Sequence, residues 1–246
     1  MQHVLTLRKI FLIFGFALVI LGCDPNKALS SNANKEVVVA QYSYNADGEL
    51  LGFLEYEHDS KGYLTKFSNY NANGELSDYS ELVLNSQGNA TKVTNYGGNG
   101  DLFSITEIEY DSDGKDTKGN FYHNSNAEWS GFWESEYNSK GKQTKVSFYN
   151  ANGELIDYTV YEYDSNGNMT KLSVYNTNGE LRGNHELEYD SNGNQTGEKE
   201  TWYNEMADFS GYDVCELDSN GNQTKRNHYN VNGELSSYII YIYKKI

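Results

Sequence analysis

The stretch that decides the fold is EYDSNGNMTKLSVYNTNGEL, residues Glu162–Leu181. It holds two four-residue turns, DSNG at 164–167 and NTNG at 176–179, separated by a segment of eight residues. Asp or Asn at the first position of such a turn accepts hydrogen bonds from the following backbone, and Gly at the fourth position tolerates a positive φ. The pattern therefore predicts two successive β-hairpins, each closed by a type I turn with a glycine bulge.

The same unit recurs along the chain, and a tyrosine marks the end of each copy. These tyrosines are Tyr44, Tyr70, Tyr96, Tyr122, Tyr149, Tyr175, Tyr203 and Tyr229. Their spacing is 26 residues, apart from one step of 27 and one of 28. Because every connection is short, neighbouring strands must be antiparallel. The pattern predicts an all-β domain over residues 37–246, an antiparallel meander of about 16 strands in eight repeats.

The register of these hairpins predicts how the sheet curves. We expect Tyr163 to face Met169, Tyr161 to face Lys171, and Tyr175 to face Leu181. One face would then carry the end tyrosines together with a column of small residues, which lets a sheet curl. That column is Gly52, Asp78, Ser104, Gly131, Asp157, Gly183, Gly211 and Ser237. We expect a single-layer or spirally coiled sheet, with a closed barrel as the alternative.

The two edge strands are the most apolar part of this sheet. Residues 37–39 are all valine, and residues 238–243 read YIIYIY. Exposed apolar edges promote association with other strands. We expect these edges to be covered, by pairing with each other, by self-association, or by a partner. A membrane barrel is not predicted, because no lipid-facing apolar band alternates along the strands.

The repeat unit also resembles a known family. Residues 162–181 look like the tyrosine–aspartate (YD) repeats of Rhs-type proteins, in which Tyr-Asp-x-x-Gly is followed by a polar residue and Thr. The resemblance covers most of residues 38–243 and is clearest between Tyr137 and Tyr243. It implies a coiled β-sheet, which in large members forms a shell around a toxin domain. The period here is longer and no proline follows Pro25, so an encapsulated toxin is not implied. MORN-type hairpin repeats are a second, weaker similarity.

The sequence of the N-terminal segment predicts that the protein is located at the cell envelope. Arg8 and Lys9 precede an apolar run over residues 10–21, which is shorter than the roughly 20 residues of a spanning helix. The run ends at Cys23 after a glycine and resembles the lipobox of bacterial lipoproteins. The resemblance implies that residues 1–22 are a cleaved signal peptide and that Cys23 carries the lipid. An uncleaved anchor and a signal cut elsewhere are the alternatives. Residues 23–36 then form a polar tether.

The net charge and the cysteine content limit the classes of partner that the protein can bind. Removal of residues 1–22 lowers the net charge by two, from −16 to −18. Such an acidic chain opposes nucleic acid, so we expect membrane contact only through the lipid on Cys23. An outer-membrane or cell-surface location is favoured, although Asp24 resembles an inner-membrane retention signal. Cys215 would be the only remaining thiol, and we expect it to be a packed apolar side chain.

The candidate chemistry is sparse. The acidic turns at 111–114 and 164–167 offer one or two carboxylates each, fewer oxygens than a calcium loop needs, so only weak calcium binding is expected. The histidines after the signal lie at unrelated phases of the repeat, at surface or half-buried strand positions. They predict no metal site. We predict no catalytic residue and no cofactor.

Three readings of function follow from this pattern. The first is a lipid-anchored, non-enzymatic interaction surface or scaffold with a protein partner. The second is a glycan-binding module that uses the aromatic columns, with Trp129, Trp133 and Trp202 as candidate ligand-contact residues near the irregular repeats. The third is a hydrolase at those repeats, for which turnover abolished by one carboxylate substitution would be the evidence.

Overall fold

The structure is a computed structural model that describes residues 36–123, 128–203 and 211–246. Its strands are β1 (Glu36–Asn45), β2 (Leu50–His58), β3 (Leu64–Asn71), β4 (Leu76–Leu84), β5 (Ala90–Gly97), β6 (Leu102–Tyr110), β7 (Asp116–His123), β8 (Glu128–Tyr137), β9 (Gln143–Asn150), β10 (Leu155–Tyr163), β11 (Met169–Asn176), β12 (Leu181–Tyr189), β13 (Gln195–Trp202), β14 (Gly211–Leu217), β15 (Gln223–Asn230) and β16 (Leu235–Lys245). Each strand pairs antiparallel with its sequence neighbours. The described ranges hold no helix long and apolar enough to cross a membrane.

The turns have the predicted chemistry. In the turn after β10, Asp164 Oδ1 accepts hydrogen bonds from the backbone N–H of Asn166 at 2.9 Å and of Asn168 at 2.8 Å. Gly167 closes this turn with a φ of 86°. The turn after β11 is built in the same way around Asn176, whose Nδ2 also donates to Glu180 Oε2 at 2.6 Å. Local sequence alone therefore determines where each strand ends.

The sheet closes on itself, so the structure selects the closed barrel that the sequence left as the alternative. β1 pairs with β16, which brings Val38 opposite Tyr243 and Tyr44 opposite Tyr238. The predicted apolar edges thus cover each other. Closure satisfies the backbone groups of both edge strands and removes the exposed edges of the sheet.

The predicted register is right near the turns and wrong by one residue beyond them. Tyr163 faces Met169, as expected, but Tyr161 faces Leu172 and not Lys171. The cause is a bulge next to the turn, where β11 carries an extra residue, Thr170. The threonine at this position recurs, and its hydroxyl binds the facing strand, as when Thr144 Oγ1 donates to the Glu136 carbonyl at 3.2 Å.

A second bulge corrects the predicted face of the end tyrosines. Tyr175 does face Leu181, but the ladder shifts between Val174 and Tyr175. Tyr175 consequently points to the outer face and stacks on Tyr158 with ring centroids 5.1 Å apart. The small-residue column stays on the inner face, so the expectation that both share one face is wrong.

The stagger of the strands sets the width of the barrel. A line drawn straight across the sheet from Tyr161 passes through Leu172 on β11 and reaches His185 on β12. Tyr161 is the seventh residue of β10, whereas His185 is only the fifth residue of β12. The strands are thus staggered by two residues in each of eight repeats, which gives the barrel a total shear of about 16 residues. For 16 strands, this shear implies that the strands are tilted by roughly 36° from the barrel axis. Strands about 4.8 Å apart then place opposite walls roughly 30 Å apart. A barrel of this strand number encloses a lumen.

Side chains on the inner wall pack sideways along the sheet. Trp133, Val146 and Tyr161 form a buried apolar cluster. At the end of the barrel with the Asp-Ser-x-Gly turns, the tyrosine of the Tyr-Asp motif binds the previous hairpin. Tyr163, for example, donates to the Gln143 carbonyl at 2.8 Å. This contact gives the motif tyrosine a structural role between repeats.

Candidate functional site

One section of the inner wall, on β12–β15, breaks the repeat pattern. The fourth residue of each short strand faces inward and is apolar in Phe67, Val93, Val146 and Leu172. On β13 and β15 this position is occupied by Glu198 and Arg226. We call Glu198, Arg226 and the charged inner residues around them the luminal charge cluster. Its members are His185, Glu198, Glu200, Asp213, Arg226 and His228.

His185 lies between two carboxylates. Its Nδ1 is 2.5 Å from Glu198 Oε1, and its Nε2 is 3.1 Å from Glu200 Oε1. Its ring meets Trp202 edge-on, with centroids 5.6 Å apart. Only 5% of His185 is exposed, so both ring nitrogens interact within the protein wall.

Arg226 joins the two halves of the cluster. Its Nη2 donates to Glu198 Oε2 at 2.8 Å, and its Nε donates to Asp213 Oδ2. The other oxygen of Asp213 lies 2.6 Å from His228 Nδ1. The cluster therefore connects four neighbouring strands through side chains.

This connection coincides with the shortest of the described ladders. β13 and β14 pair only over Gly197–Glu200 and Gly211–Val214. Arg226 on β15 reaches past β14 to Glu198 on β13, so it bridges this ladder from the lumen. A structural contribution of the cluster to barrel closure follows from this geometry.

The environment shifts the protonation of the cluster. Burial opposes the charged form of His185, but its hydrogen bond to Glu198 and the charge of Glu200 outweigh burial and raise the pKa of His185. Burial likewise opposes ionisation of Glu198, yet His185 and Arg226 keep the pKa of Glu198 below its ordinary value. Burial raises the pKa of Glu200. The hydrogen bond to Asp213 raises the pKa of His228.

The sequence expectations for the histidines need correction. His185 is buried rather than at the surface or half-buried, and His185 and His228 belong to one cluster although their repeat phases differ. A comparison of positions within the repeat does not show which residues face each other on neighbouring strands. His185, for example, directly faces Glu200 on β13. Trp202, which the sequence places near the irregular repeats, lies beside this cluster.

The three candidate tryptophans lie apart. Trp129 is 47% exposed and stacks on Phe132 with ring centroids 6.3 Å apart. Trp133 is buried in the inner apolar cluster, and Trp202 contacts His185. Cys23 lies outside the described residues. Cys215 is buried, as predicted, and Gln223 Nε2 donates to its Sγ at 2.9 Å.

The outer wall repeats one arrangement around the barrel. Aromatic rings stack in cross-strand pairs, which are Tyr44–Tyr238, Phe53–Tyr70, Tyr79–Tyr96, Phe132–Tyr149, Tyr158–Tyr175 and Tyr212–Tyr229. Lysines of the Thr-Lys dipeptides lie over several of these rings, as Lys145 does over Tyr158 at 5.1 Å. This arrangement is a cation–π contact. Lys145 also pairs with Glu136 at 3.5 Å, so charged and aromatic groups alternate on this surface.

The fold defines a class, the closed antiparallel meander barrel of 16 strands. A solved structure with a similar fold is a porin-like protein from Bacteroides uniformis, which is 11% identical with a TM-score of 0.53; the match covers 84% of this chain and 96% of that one. A porin-like protein from Bacteroides vulgatus is 9% identical with a TM-score of 0.45, covering 83% and 97%. A Bacteroides fragilis protein with a YmcC-like fold is 13% identical with a TM-score of 0.32, covering 87% and 97%. The likeness to the Bacteroides uniformis protein concerns the fold alone.

No family model matches the chain, and neither YD nor MORN repeats gain support from that comparison. No curated protein matches either.

Proposed function

We propose that this protein is a lipid-anchored, non-enzymatic scaffold of the bacterial cell envelope whose outer wall is the interaction surface. The observation that carries the proposal is the repetition of aromatic pairs and Lys–Glu pairs around the outside of the barrel. A catalytic centre requires a unique constellation, whereas this surface offers the same contact chemistry in successive repeats. The fold shared with a porin-like protein supports an envelope location.

The proposal includes the identity of the repeat as a YD-type unit. The motif tyrosine donates to the preceding hairpin in several copies, for example from Tyr189 to the Met169 carbonyl at 2.7 Å. A contact of this kind between successive hairpins favours a curled sheet. Eight such units close into the barrel.

The position of β1 is compatible with a lipid anchor. β1 begins at Glu36, at the end of the barrel with the Asp-Ser-x-Gly turns, where Asn222 Nδ2 donates to Glu36 Oε2 at 3.3 Å. The 13 residues from Cys23 to Lys35 span up to about 43 Å when extended. That reach leaves the outer wall free to contact partners beside the membrane.

Two measurements test the proposal. Metabolic labelling with an alkyne fatty acid should mark the wild-type protein and not the Cys23→Ser variant. A photo-cross-linking residue at Tyr96, on the outer face of β5, should give specific adducts in intact cells. The same residue at Val93, on the inner face of the same strand, is the matched control. Adducts from Val93 but not from Tyr96 would contradict an outer interaction surface.

A second candidate, glycan binding, is favoured by one observation. The exposed ring of Trp129 lies 3° from parallel with Phe132, and Lys118 Nζ is 4.1 Å from the centroid of Phe132. An exposed aromatic plane beside a hydrogen-bond donor suits stacking on a sugar ring. Binding on a glycan array should be lost in Trp129→Ala and kept in Trp133→Phe, because Trp133 is buried. Equal binding by both variants would exclude this role for Trp129.

A further inference from the structure

Beyond the scaffold function, we propose that the luminal charge cluster binds a divalent transition-metal ion of the zinc class between His185 Nε2 and Glu200 Oε1. The two atoms are 3.1 Å apart. Two ligands at about 2.0–2.2 Å from one tetrahedral zinc ion lie roughly 3.3–3.6 Å from each other, so a small outward movement of these two atoms would admit the ion. One ligand atom from each of His185, Glu198 and Glu200 falls within 4.8 Å of the others.

Glu198 is placed to orient the histidine ligand. Its Oε1 is 2.5 Å from Nδ1, the ring nitrogen that would not bind the ion, and its Oε2 accepts from Arg226 at 2.8 Å. Metal-binding histidines commonly donate their second N–H to a carboxylate, which fixes the tautomer and the ring orientation. In this arrangement Glu198 is a positioning residue, while His185 and Glu200 supply the ligand atoms.

The charge of the cluster matches a divalent ion. Glu198, Glu200 and Asp213 contribute three negative charges, and Arg226 contributes one positive charge. When both imidazoles are neutral, two negative charges remain uncompensated in a mostly buried environment, and protons on His185 and His228 are the competing source of positive charge. A divalent cation supplies the missing charge at one place.

The two proposed ligands differ in their exposure. The side chain of His185 is 6% exposed and that of Glu200 is 30% exposed, so the ion would enter beside Glu200. Water would complete the coordination of the ion beside these two protein ligands.

The test is a zinc titration of the full processed protein in detergent micelles after chelator treatment, followed by calorimetry. We expect one saturable equivalent of zinc chloride, at least tenfold weaker binding in Glu200→Gln, and loss of binding in His185→Ala. Glu198→Gln should weaken binding about 10- to 100-fold through the positioning role. His123→Ala, on a distant part of the wall, and Cys215→Ser should bind zinc like the wild type.

Two results would overturn the proposal. One is no saturable binding at millimolar zinc. The other is binding that Glu200→Gln, a near-isosteric change, leaves unchanged while circular dichroism shows an intact fold. If nitrogen NMR at saturating zinc finds His185 protonated on both ring nitrogens, the cluster is an ion network balanced by protons and not a metal site.

Discussion

Replacing Arg226 with methionine should strongly destabilise the barrel. Methionine keeps most of the side-chain volume but removes the cation shared by Glu198 and Asp213, whose side chains are 5% and 11% exposed. Removing one partner of a buried ion pair costs about 3–5 kcal/mol, because the remaining charge stays desolvated. Two carboxylates lose their shared cation here, but each keeps a histidine partner, so we expect a loss of about 3 kcal/mol, the lower end of that range.

The assay is urea unfolding followed by tryptophan fluorescence, in chelator and at neutral pH. The matched control is Lys225→Met, next in the chain but on the outer face, where Lys225 pairs with Glu216 at 3.7 Å. Exposed pairs contribute about 0–1 kcal/mol, so this control should change little. Adding Glu198→Gln to Arg226→Met should restore part of the lost stability, since it removes one of the two buried carboxylates that have lost the arginine. A loss in Arg226→Met no larger than that in the control would refute the reasoning.

Three further substitutions test individual contacts by the same unfolding assay. Tyr189→Phe removes the hydroxyl that donates to the Met169 carbonyl at 2.7 Å and should lower the free energy of unfolding by about 1 kcal/mol; an unchanged midpoint would contradict the role of the motif tyrosine. Burial raises the pKa of Asp157, partly opposed by Arg182, so its ionised form is penalised in the fold. Asp157→Asn should therefore stabilise the protein by about 1 kcal/mol near neutral pH, and the gain should vanish as the pH falls through the folded pKa toward 3.8. Gly131→Ala should destabilise by at least about 2 kcal/mol, because φ is 142° and a Cβ would lie 2.2 Å from a backbone oxygen of the facing strand.

Local chemistry in the sequence was enough to predict the hairpins but not the sheet closure. Turns such as 164–167 contain their own hydrogen-bond partners and glycine, so their conformation depends on neighbouring residues alone. Closure depends on whether β1 and β16 meet after eight repeats, which is a sum of small register steps. Bulges beside Thr170 and Tyr175 alter those steps. A prediction that assumes strictly alternating side-chain directions along each strand does not reveal these bulges.

The luminal charge cluster was missed for a related reason. His185 and His228 have different positions within their repeats, so a search along one column does not group them. They are linked across strands, from His185 to Glu198, from Glu198 to Arg226, and through Asp213 to His228. A search of direct and diagonal cross-strand neighbours, with the bulges included, would have found the cluster.

The repeat explains why a barrel of this width can close without special end pieces. Each repeat adds two strands and about two residues of stagger, so strand number and shear grow together and the tilt stays near 36° for any number of repeats. Repeat number therefore sets the radius, while the tilt is fixed by the bulged hairpin itself. To close, a sheet with this geometry needs only one sequence change in its first and last strands, the replacement of charged residues by apolar ones. Val38 opposite Tyr243, and Tyr42 opposite Ile240, provide that change at the seam. The isoleucines that replace the repeated glutamates in β16 are thus explained by closure at the seam between β1 and β16. The luminal charge cluster lies away from that seam, where Arg226 bridges the short ladder between β13 and β14.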